Sequence, residues 1–199
     1  MKFGHFFVPM SLAPAQDFEM INDCLYEAEL VEELGLDAIW LSEHHFDGET
    51  VYADPMVFAG AITAKTKRVT IGLGVVEMAL HHPVRLAVQT SLLDNMSQGR
   101  LIVGTGRGTR FNAFEYLGFG TTAEVAQECL EEAEELLVKA WTSDRVDHNG
   151  KFWQAKFPGI RPRPYQKPHP RINRACVSDN AIMEMARLGR PILIIGNSI

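Results

Sequence analysis

Strand-like runs and stretches of helical periodicity trade places along this chain, and that alternation limits its fold more than any other feature. Residues 69–76 (VTIGLGVV) form a nearly continuous apolar run, the pattern of a strand buried on both faces. Further strand-type runs stand at 2–9, 37–42, 100–105, 171–176 and 191–195. Between the first two, Phe18, Ile21, Leu25, Ala28, Val31 and Leu34 recur every three or four positions, which predicts a helix over 17–34 stopped by Gly35. Asp54-Pro55 supplies an N-cap and a first-turn proline for a helix over 54–65. Helices over 83–96, 121–141 and 178–188 complete the set, the last capped by Ser178 or Asp179. Asn149-Gly150 marks a hairpin within 147–154. Six of the 13 residues in 158–170 are proline or glycine, which predicts an extended loop.

Six strands alternating with helices imply an α/β chain with a parallel sheet and its helices outside. A doubly wound nucleotide fold usually carries a glycine-rich turn after its first strand, where this chain has Val8-Pro9-Met10-Ser11-Leu12. The expectation is a (β/α) barrel of TIM type, one domain over 1–199, with chemistry on the loops at the carboxyl ends of the strands.

Composition narrows the function classes. With 46% hydrophobic and 22% charged residues the chain can bury a core, and a net charge of −6 argues against a nucleic-acid partner. Residues 1–144 hold 22 acidic and 9 basic residues, whereas 145–199 hold 3 and 10, so an anion or acidic surface facing the C-terminal segment competes with a merely solvated loop. Cys24, Cys129 and Cys176 are odd in number and lack CxxC spacing, so neither a disulfide framework nor a thiolate zinc site is expected. No run approaches the ~18–20 apolar residues of a membrane span, and no secretion signal opens the chain. A cytoplasmic protein with no membrane partner is the expectation.

The strand ends carry the candidate chemistry. After the second strand stands Ser42-Glu43-His44-His45-Phe46, and after the third comes His81-His82. Adjacent histidines point apart from a strand, so this set is incomplete as a ligand shell and no metal is expected. A single inward imidazole, His44 or His45, suits general acid or base work near neutral pH; a histidine bonded only to loop backbone is the competing reading. The fourth strand leads into Gly104-Thr105-Gly106-Arg107-Gly108, where glycine permits close backbone approach and a guanidinium can grip phosphate. A tight loop with a surface arginine would look the same. Ser178 opens a helix whose free N–H groups suit a second phosphate contact or an ordinary cap. Glu124, Glu128, Glu131, Glu132, Glu134 and Glu135 read as a solvated helix face.

Taken together, KFGHFFVP, DAIWLSEHHF, HHPVRLAVQTSLLDNMSQGRLIVGTGRG and RPRPYQKPHP resemble the bacterial luciferase-like flavin monooxygenases, a family of (β/α) barrels, over residues 1 to about 195. The resemblance implies reduced FMN as cofactor, or a deazaflavin in one branch. It further implies O2 and a small carbonyl or other apolar substrate, a separate flavin reductase, and a homodimer. Residue by residue, His44 matches the catalytic histidine and Glu43 lies beside it near the flavin. Gly74 and Val75 match a non-proline cis peptide against the flavin ring, Gly106 lies at its edge, and Arg107 and Ser178 match phosphate contacts. Gly106 stands where light-emitting members carry a reactive cysteine, which argues against luciferase activity. Val125 or a neighbour replaces a second phosphate arginine, so either phosphate affinity is reduced or Arg110 or Arg174 supplies the contact. A deazaflavin-dependent oxidoreductase and a non-catalytic flavin-binding protein are the alternatives.

A closed barrel has eight units and usually takes ~250 residues. The 199 present predict an incomplete barrel of about six units with its C-terminal strands missing. Either the chain is a truncated member whose missing strands weaken flavin binding, or an extra element or a partner closes a shortened barrel.

Overall fold

The computed structural model describes residues 1–109 and 113–194. Its strands are β1 (Gly4–Phe7), β2 (Ala38–Leu41), β3 (Thr70–Glu77), β4 (Leu101–Gly106), β5 (Arg145–Asn149), β6 (Gln154–Pro158), β7 (Arg171–Ala175) and β8 (Ile192–Leu193). The helices are α1 (Asp17–Glu33), α2 (Pro55–Lys65), α3 (Pro83–Met96), α4 (Ala113–Gly118), α5 (Ala123–Thr142) and α6 (Asp179–Arg187). Six strands pair in parallel in the order β1-β2-β3-β4-β7-β8 and curl into half a barrel, as the alternating pattern predicts. Among the described residues the sheet therefore holds six barrel strands of the eight that closure requires.

One face of the sheet makes the core. Ile39, Leu41, Ile71, Leu73, Leu101 and Val103 pack with Ala28 and Val31 of α1, Ala59 and Ile62 of α2, Leu86 of α3, and Leu137 and Trp141 of α5. Burying a Leu, Ile or Val side chain contributes roughly 1.5–3 kcal/mol, so this layer carries most of the fold's stabilisation. Trp141 is fully buried because its indole N–H finds Ala87 O and Thr90 Oγ1, each at 3.2 Å. On the concave face Trp40 lies flat on β3, where a Cβ at Gly72 would meet its ring at 2.2 Å.

Local signals place the helices. Asp54 accepts the N–H groups of Met56 and Val57, and Pro55 opens α2. Gly35 ends α1 at φ +82°, with the Leu36 N–H returning to Val31 O at 3.1 Å. The predicted hairpin forms, but Asn149 pairs with Gln154 and leaves a four-residue loop rather than a two-residue turn. Its cause is Glu132 of α5, whose carboxylate accepts the N–H groups of Lys151, Phe152 and Trp153. The helix α4 has no counterpart in the sequence reading, being six residues without a cap signal. The last strand is shorter than the predicted 191–195, and Ile195 lies outside the described residues.

The proline-rich segment 158–170 is an anchored loop under the amino ends of the strands. Asp94, at the end of α3, accepts from the Gln166 backbone and side-chain amides at 2.8 and 2.7 Å, and Gln166 also donates to Leu101 O at the start of β4. Its cations thus lie at the opposite end of the sheet from the catalytic candidates, and Arg163 bonds Trp141 O and Asp144.

Candidate active site

The carboxyl ends of β2 and β3 bring three glutamates and three histidines together. Glu43 is buried, with Oε1 2.8 Å from His45 Nε2 and 2.7 Å from His81 Nε2, while Oε2 accepts the Glu77 N–H at 2.8 Å. Burial pushes the Glu43 carboxyl up, but the hydrogen bonds from His45, His81 and the Glu77 N–H outweigh it and hold the group below the usual carboxylate range. His81 moves the opposite way: burial lowers it, and the bond to Glu43 with its charge raises it further. Glu43 thus clamps the loops after β2 and β3 to each other.

His44 and His45 point apart, as neighbouring residues leaving a strand do. His45 turns to Glu43. His44 turns to Glu115 of α4, whose Oε1 lies 3.4 Å from His44 Nδ1 and accepts the His45 N–H at 2.7 Å. Beside them Glu77 closes β3. Burial, then the charges of Glu115 and Glu43, push its carboxyl up to about 8. His82 instead caps α3 by accepting the Val84 N–H.

The Gly74–Val75 peptide is cis, and the β3–β4 register shifts there, between Leu73 and Val76. Gly106, paired with Glu77, lies against Val75: a Cβ at 106 would stand 2.7 Å from Val75 Cγ2. At Gly108, φ is +85° and a Cβ would meet Glu77 Oε2 at 2.3 Å, so only glycine fits between Glu77 and the Tyr116 hydroxyl. Arg107 reaches the side chain of Gln127 on α5. Ser178 caps α6, its hydroxyl accepting the Ala181 N–H at 3.3 Å. His44, Arg107 and Ser178 lie beyond the carboxyl ends of neighbouring strands, Gly106 ends β4, and Gly74 and Val75 lie in the carboxyl half of β3, the end where barrel enzymes place their chemistry.

Two expectations need correction. Glu134 is not on a solvated face: it is buried and grips Arg174, with Thr105 donating to the same carboxylate. A helix that covers a sheet turns one of its acidic residues inward wherever a strand offers an arginine. Arg174 is therefore committed behind the sheet and does not supply a missing phosphate cation. Arg110, the other substitute, lies outside the described residues. Val125 stands exposed in the first turn of α5. The sequence reading also missed Glu77 and Glu115. An acidic residue closing an otherwise apolar strand run was the available signal for Glu77, whereas Glu115 depends on the unforeseen α4.

A parallel half-barrel with a histidine–glutamate cluster at the carboxyl ends of its strands places the chain in the class of (β/α)-barrel proteins. The luciferase-like monooxygenase family model matches residues 1–198, and the chain belongs to that family. It is 34% identical over 154 residues to the oxygenase component of a flavin-dependent trigonelline monooxygenase from Acinetobacter baylyi, covering 77% of this chain and 41% of that protein. Among solved structures, the monooxygenase RslO1 from Streptomyces bottropensis superposes with a TM-score of 0.88 at 32% identity, over 96% of this chain and 59% of that one. The FMN complex of the oxygenating constituent of 3,6-diketocamphane monooxygenase from Pseudomonas putida gives 0.88 at 19% identity, covering 98% and 57%. An F420-dependent secondary alcohol dehydrogenase gives 0.82 at 20%, covering 99% and 58%. The last two show the fold alone. The chain spans about half the length of the curated relatives it matches. Among the described residues no helix is long and apolar enough to cross a membrane.

Proposed function

We propose that this chain forms the flavin-binding part of a cytoplasmic monooxygenase that uses reduced FMN and O2 on a small carbonyl or other apolar substrate. A separate reductase supplies the reduced flavin, and the protein works as a homodimer. The observation that carries this reading is the shared strand-end position of His44, the Gly74–Val75 peptide and Gly106. Gly106 has no side chain to give and packs on Val75, so the strand ends leave a flat wall suited to one face of a fused ring. Family membership and the flavin dependence of the Acinetobacter baylyi relative support it.

In this reading Gly74, Val75 and Gly106 hold the ring, and Arg107 and Ser178 hold its phosphate. Bound reduced flavin supplies the electrons that activate O2. His44 moves the proton at the reacting centre. Glu115 orients the His44 ring through the carboxylate oxygen 3.4 Å from Nδ1. Glu43 acts at one remove by clamping His45 and His81.

Oxygen consumption with reduced FMN and a panel of small carbonyl compounds, wild type against His44→Ala, tests the proposal. Turnover that survives the substitution unchanged sinks the assigned role. A deazaflavin reading draws on the F420-dependent neighbour, and parallel titration with both cofactors separates the two. Firm flavin binding with no substrate-accelerated oxidation would favour a non-catalytic binder.

A further inference from the structure

Two of the glutamates beside His44 carry oxygens that no group among the described residues satisfies. Glu77 is 2% exposed and Glu115 is 0% exposed, and the Oε2 atom of each is buried without a hydrogen-bond partner. An unsatisfied buried carboxylate oxygen is costly, and the charges of Glu115 and Glu43 make ionising Glu77 costlier still. Glu43 contributes no relief, since its own charge is already matched by His45 and His81. Arg107 turns away to Gln127. His44 Nδ1 lies 3.4 Å from Glu115 Oε1. The cluster is thus built for a positive charge that the described side chains do not provide.

The geometry says what kind. One nitrogen of His44 and one oxygen from each of Glu77 and Glu115 lie within 4.8 Å of one another. Donor atoms that close to each other converge on a single ion at ~2.0–2.2 Å with only small side-chain rotation. We propose that His44, Glu77 and Glu115 form a site for one divalent first-row transition-metal ion. One imidazole and two carboxylates are ligands of the hard-to-borderline class, which suits Zn2+ or Mn2+ and not a soft monovalent ion. The ion would cross-link the loop after β2, the end of β3 and α4. It would also neutralise the two carboxylates, with the orphan oxygens completing its shell. Gly108 contributes by shape: its missing Cβ leaves the Glu77 carboxyl room beside Tyr116.

The site is read from side chains alone and does not rest on the oxygenase assignment. Binding is measured on the flavin-free protein, so its failure leaves that assignment standing. The test is calorimetric titration of chelator-stripped protein with Zn2+, with Mn2+ followed in parallel by electron paramagnetic resonance. One ion per chain is expected. Glu77→Gln and Glu115→Gln, both isosteric, should each weaken affinity at least about 100-fold, as should His44→Ala. His5→Ala, which removes an exposed imidazole elsewhere, should leave affinity unchanged.

Absence of saturable binding overturns the proposal and leaves a shared proton as the missing charge. Binding that persists in both glutamine variants overturns it equally. Should the variants fail to fold, X-ray absorption on zinc-loaded wild type decides. One imidazole with carboxylate oxygens supports the site, and a shell with no imidazole or with sulfur refutes it.

Discussion

Gly106 closes against Val75, so that a Cβ added at position 106 would stand 2.7 Å from Val75 Cγ2. Either Val75 moves or the strand ends separate, and overpacking of this kind costs roughly 1–3 kcal/mol. Val75 belongs to the wall assigned to the flavin ring, so the displacement falls there. Gly106→Ala should therefore weaken FMN affinity by about 5–150-fold, the binding equivalent of that energy. Fluorescence titration of FMN reads it directly. Unchanged affinity in the folded variant would remove Gly106 from the cofactor wall.

Glu115 offers a finer test of His44. In Glu115→Gln the amide oxygen can still accept the His45 N–H, so the loop keeps its shape, but the charge facing His44 Nδ1 is gone. A positioned acid or base contributes ~10²–10⁴-fold to rate, and a misheld one loses part of that. The expected result is a lower kcat at nearly constant KM. Oxygen uptake across a substrate series shows it. A rise in KM alone would assign Glu115 to substrate binding.

Much of the fold was legible because its signals are local or periodic. Asp54-Pro55 and Gly35 fixed the ends of their helices through backbone groups only a few residues away. Continuous apolar runs marked strands covered on both faces. Gly106 was readable as a point of close backbone approach from its glycine-interleaved strand end, whereas Gly74 came only from the family resemblance. What escaped depends on distant partners. Glu132 lengthens the hairpin loop from another element, and Glu134 is drawn inward by Arg174, 40 residues on. The acidic half of the site was hidden for the same reason. Glu115 acquires its meaning only when a six-residue helix sets it beside His44, 71 positions earlier in the chain.

Acid should loosen the hairpin before the core. Burial pushes the Glu132 carboxyl up, but the N–H groups of Trp153, Phe152 and Lys151, together with His148, outweigh it and hold the carboxyl below its ordinary 4.5. A carboxyl depressed in the folded state contributes stability at pH values above its unfolded value. That contribution fades as pH falls through the lowered one. The stability gap between wild type and Glu132→Gln should thus be full at neutral pH and close below about 4.5. Urea denaturation of both proteins across that range measures it; a gap that widens on acidification contradicts the assigned role.

Behind the sheet, Glu134 and Arg174 are each about nine-tenths buried and joined by two hydrogen bonds, one of them 2.6 Å from Nε to Oε1. Removing one member of such a pair strands the other charge, at a cost of about 3–5 kcal/mol. Glu134→Ala should lose that much in urea denaturation, aggravated by the lost acceptor for the Thr105 hydroxyl. Replacing both members with apolar residues, Glu134→Leu with Arg174→Met, should recover most of it, because no unpaired charge remains. The pair lies on the helix side of β4 and β7, away from His44, so folded double variant should bind FMN as wild type does. If the double variant regained stability yet lost FMN, Arg174 would belong to the cofactor site after all.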